Sequence, residues 1–241
     1  MDYNNRNSRP LLKGVFHLIA TVFYIIAFPF LLKLIPKTIK FPLILYLCAI
    51  IGNFGASTLL HLPQWSEDIV VYPRRLDHIM IFVKIAATYC AAIVTIMPDI
   101  NLLVKYTLCI GSILGIIMRV FFTDAPTLLI GLPYLLVGWS IILDPTTLLT
   151  VPKRIPIGSI FAVLAGISYT IGAIIYITKY PRVWPKSLES RLDPKHILPK
   201  YMGYHELFHI FAIIGAVFFT ICIFGHGIPY YNHKLLQLLP S

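Results

Sequence analysis

A succession of long apolar runs, parted by short links rich in proline and basic residues, constrains this chain more than any other feature. Each run reaches about twenty residues, the length that carries one helix across the hydrocarbon core of a bilayer. The spacing predicts an all-α integral membrane bundle of seven transmembrane helices, over 12–35, 42–62, 76–97, 101–122, 126–143, 156–178 and 203–225. A short polar N-terminal tail (1–11) and a short C-terminal tail (226–241) flank one transmembrane domain (12–225). Composition agrees. Of the 241 residues, 58% are hydrophobic and 12% charged, and the mean hydropathy is +0.80; that charged share is about half the usual one for a soluble domain. Pro29 predicts a kink in the first helix. Asp124-Ala125-Pro126 and Asp144-Pro145 are turn signals, and a proline-rich loop over 179–202 precedes the last span. The first run is too long for a signal-peptide core and has no small-residue cleavage site, so it reads as a retained helix. Cys48, Cys90, Cys109 and Cys222 stand singly inside apolar runs, as small core residues and not as a disulfide or zinc framework.

The net charge of +10 comes from 20 Lys and Arg against 10 Asp and Glu. The basic residues lie mostly between the apolar runs, where they set orientation and meet anionic lipid. The expected partner is therefore the lipid bilayer, and not nucleic acid. With the N-terminus inside, twelve basic residues fall inside and seven outside, with Lys84 within the third helix. The bias predicts N-terminus inside, C-terminus outside.

Polar residues within the spans carry the chemistry. His205-Glu206-Leu207-Phe208-His209 opens the last span. Histidines four apart share a helix face and can hold one borderline-soft metal ion, most often zinc. The alternating topology brings the end of the second helix (His61), the start of the third (Asp77) and the start of the seventh to one membrane depth. Three histidines plus water is an open, catalytic zinc pattern, and Asp77 can serve it as a water-positioning carboxylate. Plainer readings stand beside this one. Asn53, Ser57 and His61 form a stripe that can bind helices together by hydrogen bonds. Asp77 and Glu206 each suit a helix N-terminus. His205-Glu206-x-x-His209 also matches the zinc-protease helix with Glu206 as base. That reading is minor, because the motif opens a spanning helix with no soluble substrate domain around it. Lys84, seven residues after Asp77, sits about 10 Å deeper on nearly the same face, with no partner evident. His17 is open between a helix-packing and a site role, and His78, His196, His226 and His233 read as loop or interface residues.

These residues resemble the hemolysin III and progestin/adipoQ receptor family, part of a superfamily that includes the alkaline ceramidases. The resemblance rests on Ser57-x-x-x-His61; on Arg75-Leu76-Asp77-His78 with Ile81-Phe82 and Ala87-Thr88-Tyr89; on 166–176, Gly-Ile-Ser-Tyr-Thr-Ile-Gly-Ala-Ile-Ile-Tyr; and on His205-Glu206-Leu207-Phe208-His209. It covers nearly the whole chain, and these ordered segments in one frame are specific. It implies zinc held by His61, His205 and His209, with Asp77 hydrogen-bonding its water and Ser57 adjacent. It points to the compact hemolysin III branch. Leu60 stands where many relatives have tyrosine, and Lys84 where an apolar residue is usual, which bears on pocket shape.

Three functions follow as expectations. The first is zinc-dependent hydrolysis of a lipid amide such as ceramide, with Asp77 and Ser57 as catalytic residues and a membrane lipid as substrate. The second is a receptor or lipid sensor with a lipid ligand and structural zinc. The third is a membrane-perturbing, pore-forming protein, for which the sequence offers no amphipathic pore-lining helix.

Overall fold

The computed structural model describes residues 12–122, 126–179 and 201–237, and among these every regular element is helical. The elements are α1 (Val15–Leu34), a 3₁₀ turn (Lys37–Ile39), α2 (Lys40–His61), α3 (Val71–Thr95), α4 (Leu102–Phe121) and α5 (Thr127–Gly138). A second 3₁₀ turn (Ser140–Leu143), α6 (Pro145–Arg154), α7 (Pro156–Thr178) and α8 (Tyr204–Thr220) follow; a π-helical stretch (Ile221–Gly227) then runs into α9 (Ile228–Gln237). The N-terminal tail 1–11, the turn at 124–125 and most of the 179–202 loop lie outside the described residues.

Apolar side chains cover both the inside and the outside of the bundle. Leu43, Leu47, Phe54 and Phe82 are fully buried, while Ile19, Phe23, Ile26 and Phe30 of α1 stand more than half exposed or close to it. Such an outer surface is stable only against lipid. α7 packs against α8, α2 against α3, α1 against α2 and α3 against α4. Close approach is local and specific: a Cβ on Gly115 of α4 would meet the Phe82 ring of α3 at 2.1 Å, so only glycine lets these helices pack this way.

Among the described residues, six helical segments are long and apolar enough to cross a membrane: 15–34, 37–61, 71–95, 102–121, 156–178 and 204–237. The remaining expected span, 126–143, is not one helix. α5 ends at Gly138 after 12 residues, about 18 Å of helix. Tyr89 of α3 fills the break: its hydroxyl donates to the Gly138 carbonyl (2.8 Å) and accepts from the Ile141 amide (3.2 Å). A side chain inserted into the backbone ladder satisfies the groups the break releases. Trp139 then ties the turn to α7 through Nε1 and the Thr170 hydroxyl, at 2.9 Å.

Three further boundaries differ from expectation. α3 begins at Val71, five residues early, because the polar link after Pro63 is already turning into helix there. α6 falls in what read as a connection. Asp144 caps it by accepting from the Thr147 amide, Pro145 fills its first position, and a second Asp144 oxygen accepts from the Asn101 amide at the head of α4. The last helix passes 225 through the π-helical stretch and continues to Gln237, so the residues expected as tail are helical that far.

Candidate metal centre

One end of the bundle gathers the C-terminus of α2 and the N-termini of α1, α3 and α8. His61 is the last residue of α2, and His205 and His209 lie in the first turns of α8. The Nε2 atoms of His61 and His205 are 3.0 Å apart. One ligand nitrogen from each of His61, His205 and His209 lies within 4.8 Å of the others. His61 and His209 are 3% and 1% exposed.

The group fits a metal ion. A neutral imidazole has one donor and one acceptor nitrogen, so three clustered rings cannot satisfy one another fully. Nδ1 of His209 is buried with no hydrogen-bond partner. Tetrahedral zinc with Zn–N bonds of about 2.0–2.1 Å holds its ligand nitrogens about 3.3 Å apart, and the His61–His205 spacing of 3.0 Å is close to this. Three neutral imidazoles suit zinc and other borderline first-row ions.

Glu206 is turned to another task. Its Oε2 accepts from the Gly203 amide at 2.6 Å, so it caps α8, and it is absent from the ligand cluster.

Below the histidines lies a cavity of about 320 Å³, bordered by α1, α2, α3, α5, α6, α7 and α8. His205, Ser57, Asp77 and Lys84 line its upper part, and Ile96, Met97 and Val151 its far end. Asp77 and Ser57 are buried side by side in this wall, the hydroxyl close to the carboxyl but without a formed hydrogen bond. Asp77 is not one of the clustered ligands; it borders the cavity that reaches His205. Lys84 finds surroundings the sequence did not reveal. Its ammonium lies 4.9 Å from the Tyr169 ring centre and 5.5 Å from that of Phe54, within electrostatic range of Asp77.

Two histidines gain a place here. His17, on α1, stacks on His209 with ring centroids 3.7 Å apart. His78 lines the cavity beside Asp77 and shares its Nδ1 with the guanidinium of Arg119, which is fully buried. An ionisable residue inside an apolar run was the signal for His17. His78 looked interfacial because α3 seemed to start at 76.

A helical bundle with an apolar outer surface, a buried three-histidine group at one end and a cavity beneath it defines a multi-pass integral membrane protein with a candidate intramembrane metal centre. The family profile described as "Haemolysin-III related" matches residues 5–220, and the chain belongs to that family. It is similar to the "Hemolysin-3 homolog" of Bacillus subtilis (strain 168), at 27% identity over 183 residues, covering 73% of this chain and 73% of that protein.

Proposed function

We propose that this protein is a zinc-dependent hydrolase of a lipid amide such as ceramide, with zinc held by His61, His205 and His209. The observation that carries the reading is an apolar cavity that reaches His205 of the three-histidine group and has Ser57 and Asp77 in its wall. Zinc in such a site supplies Lewis acidity, which polarises a carbonyl and makes water a nucleophile near neutral pH. The cavity receives the acyl chain from the bilayer and sets the amide carbonyl at the histidine end. Asp77 accepts the proton of the attacking water and returns it to the amine nitrogen as the C–N bond breaks. The Ser57 hydroxyl donates to the oxyanion that develops on the carbonyl oxygen. Amide and water become carboxylic acid and amine.

In the same reading the broken segment from α5 to Leu143 completes seven crossings. α6 lies at the far membrane face, and the histidine end faces inside, as the basic residues favour.

The test is fatty acid release from ceramide by detergent-purified, zinc-loaded protein. Release that falls at least a hundredfold in Asp77→Ala supports hydrolysis; no release from any ceramide defeats it. One observation favours a second reading, a receptor with structural zinc: His61 and His205 are 144 residues apart and join α2 to α8. In that case chelation lowers the melting temperature, and lipid binding survives Asp77→Ala.

A further inference from the structure

The short helix α6 lies at the end of the bundle opposite the histidines, and both of its ends are tied to one link, residues 96–101 between α3 and α4. At its start the Asp144 carboxylate accepts from the Asn101 amide at 2.8 Å, and the Asn101 side chain donates to the Leu143 carbonyl at 3.0 Å. At its end Arg154 donates to the Ile96 carbonyl at 3.2 Å and pairs with the Asp99 carboxylate at 2.8 Å. Between these ties α6 presents Thr147, Leu148, Val151 and Pro152 to the far end of the cavity, beside Ile96 and Met97. Val151 and Thr147 are buried, whereas Leu149 on the other side of the helix is 69% exposed. A single helix thickness therefore separates this end of the cavity from the surroundings.

The two ties are unlike. Asp144 also accepts from the amide and the hydroxyl of Thr147, so the first tie is held by several hydrogen bonds. The second depends on Arg154, and its ion pair is open to water: the two side chains are 23% and 69% exposed. An exposed ion pair is weak. Single non-helical residues set α6 off from its neighbours. Asp144 (φ −127°, ψ 78°) precedes it and Ile155 (φ −138°, ψ 73°) follows it, and each is followed by a proline. Pro145 and Pro156 have no N–H to carry a helical hydrogen bond across the joint. Element-terminal residues of this kind absorb the backbone rotation when a rigid segment moves as one piece.

We infer that α6 is a gate over the far end of the cavity, latched by Arg154 on Asp99 and on the Ile96 carbonyl, and that its release admits water and small polar solutes from that face of the bundle. The gate does not depend on a metal or on hydrolysis.

The experiment uses the full chain in lipid nanodiscs. Met97 is 7% exposed and lines the cavity end, so Met97→Cys places a thiol behind the gate. A cationic, membrane-impermeant thiosulfonate is added, and modification at position 97 is followed by peptide mass spectrometry. Modification is slow with the native latch. Arg154→Met loses both partners and speeds it about tenfold, and Asp99→Asn, which loses one, speeds it less. Lys153→Met removes a neighbouring exposed charge without touching the latch and leaves the rate unchanged. Thermal melts show that each variant is folded, and Ala92→Cys, further along the same cavity wall, replaces Met97→Cys if that variant does not fold. Equal rates with and without the latch overturn the proposal. So does an equal acceleration in Lys153→Met, which assigns the effect to charge alone, and so does a thiol that no variant exposes.

Discussion

The imidazole of His17 lies flat against that of His209, ring centroids 3.7 Å apart and planes 13° from parallel. The contact joins α1 to α8 and sets the plane of a histidine whose nitrogen belongs to the three-histidine group. A ring held by stacking is oriented before any ion arrives, which lowers the cost of binding one.

That contact predicts how metal affinity responds to substitution. His17→Ala removes the stack and weakens zinc binding about tenfold, while His17→Phe keeps a ring in place and most of the affinity. Competition titration against a chelating dye measures both. Equal affinity in wild type and His17→Ala would show that His209 is held by other contacts.

Removing ligands has a larger effect. Elemental analysis of the purified protein should find near one zinc per chain, and the pair His205→Ala/His209→Ala should abolish it. Zinc-free wild type that is well folded would leave the histidines as helix-packing residues.

Tyr89→Phe tests the clasp at the end of α5. It deletes one hydroxyl and strands the Gly138 carbonyl and the Ile141 amide. A loss of about 1–3 kcal/mol is expected from the unpaired backbone groups, read as a lower midpoint in denaturant. A midpoint equal to wild type would mean that water enters the break.

Arg119→Ala strands the His78 ring and the Phe122 carbonyl, which its guanidinium contacts, and empties a fully buried site. The expected cost is about 3 kcal/mol or more. Replacing the neighbouring exposed Phe121 by alanine should cost far less when read in detergent.

Asp144, outside the spanning helices, links stability to pH. The Thr147 amide, and then the Asn101 amide and Thr147 hydroxyl, bond its carboxylate and hold its pKa below the usual value. A carboxyl with a lowered folded pKa stabilises the fold above the unfolded pKa of about 3.9, and that contribution is lost as pH falls through the lower folded value. Asp144→Asn should flatten stability against pH in that acid range and leave the neutral slope alone. An identical acid slope in both proteins would show that this cap does not titrate with unfolding.

Much of the architecture was legible in the sequence because membrane insertion is written locally. Runs of apolar residues with no charge must be helical in hydrocarbon, whose backbone groups have no water to bond, and prolines and basic residues mark where they stop. The pairing of His61 with His205 and His209 was also within reach, because alternating spans return every second helix end to the same depth. The failures came where a neighbour, and not the segment itself, decides. Nothing within 126–143 shows that a tyrosine hydroxyl from α3 will occupy the chain at Gly138. Residues 226–237 are polar enough to read as a tail, yet they continue a helix through the π-helical turn. Lys84 and His17 read as isolated oddities in separate spans.

The sequence by itself determined a multi-pass helical membrane protein with three histidines at one depth, since hydropathy and helix spacing act over a few turns and need no partner. Only the tertiary structure decided which side chains share a wall. It set His17 on His209, Ser57 beside Asp77, and both His17 and Lys84 against Phe54. Those meetings depend on the rotation of each helix about its own axis. Side-chain packing between helices fixes that rotation, and no pattern along a single span records it.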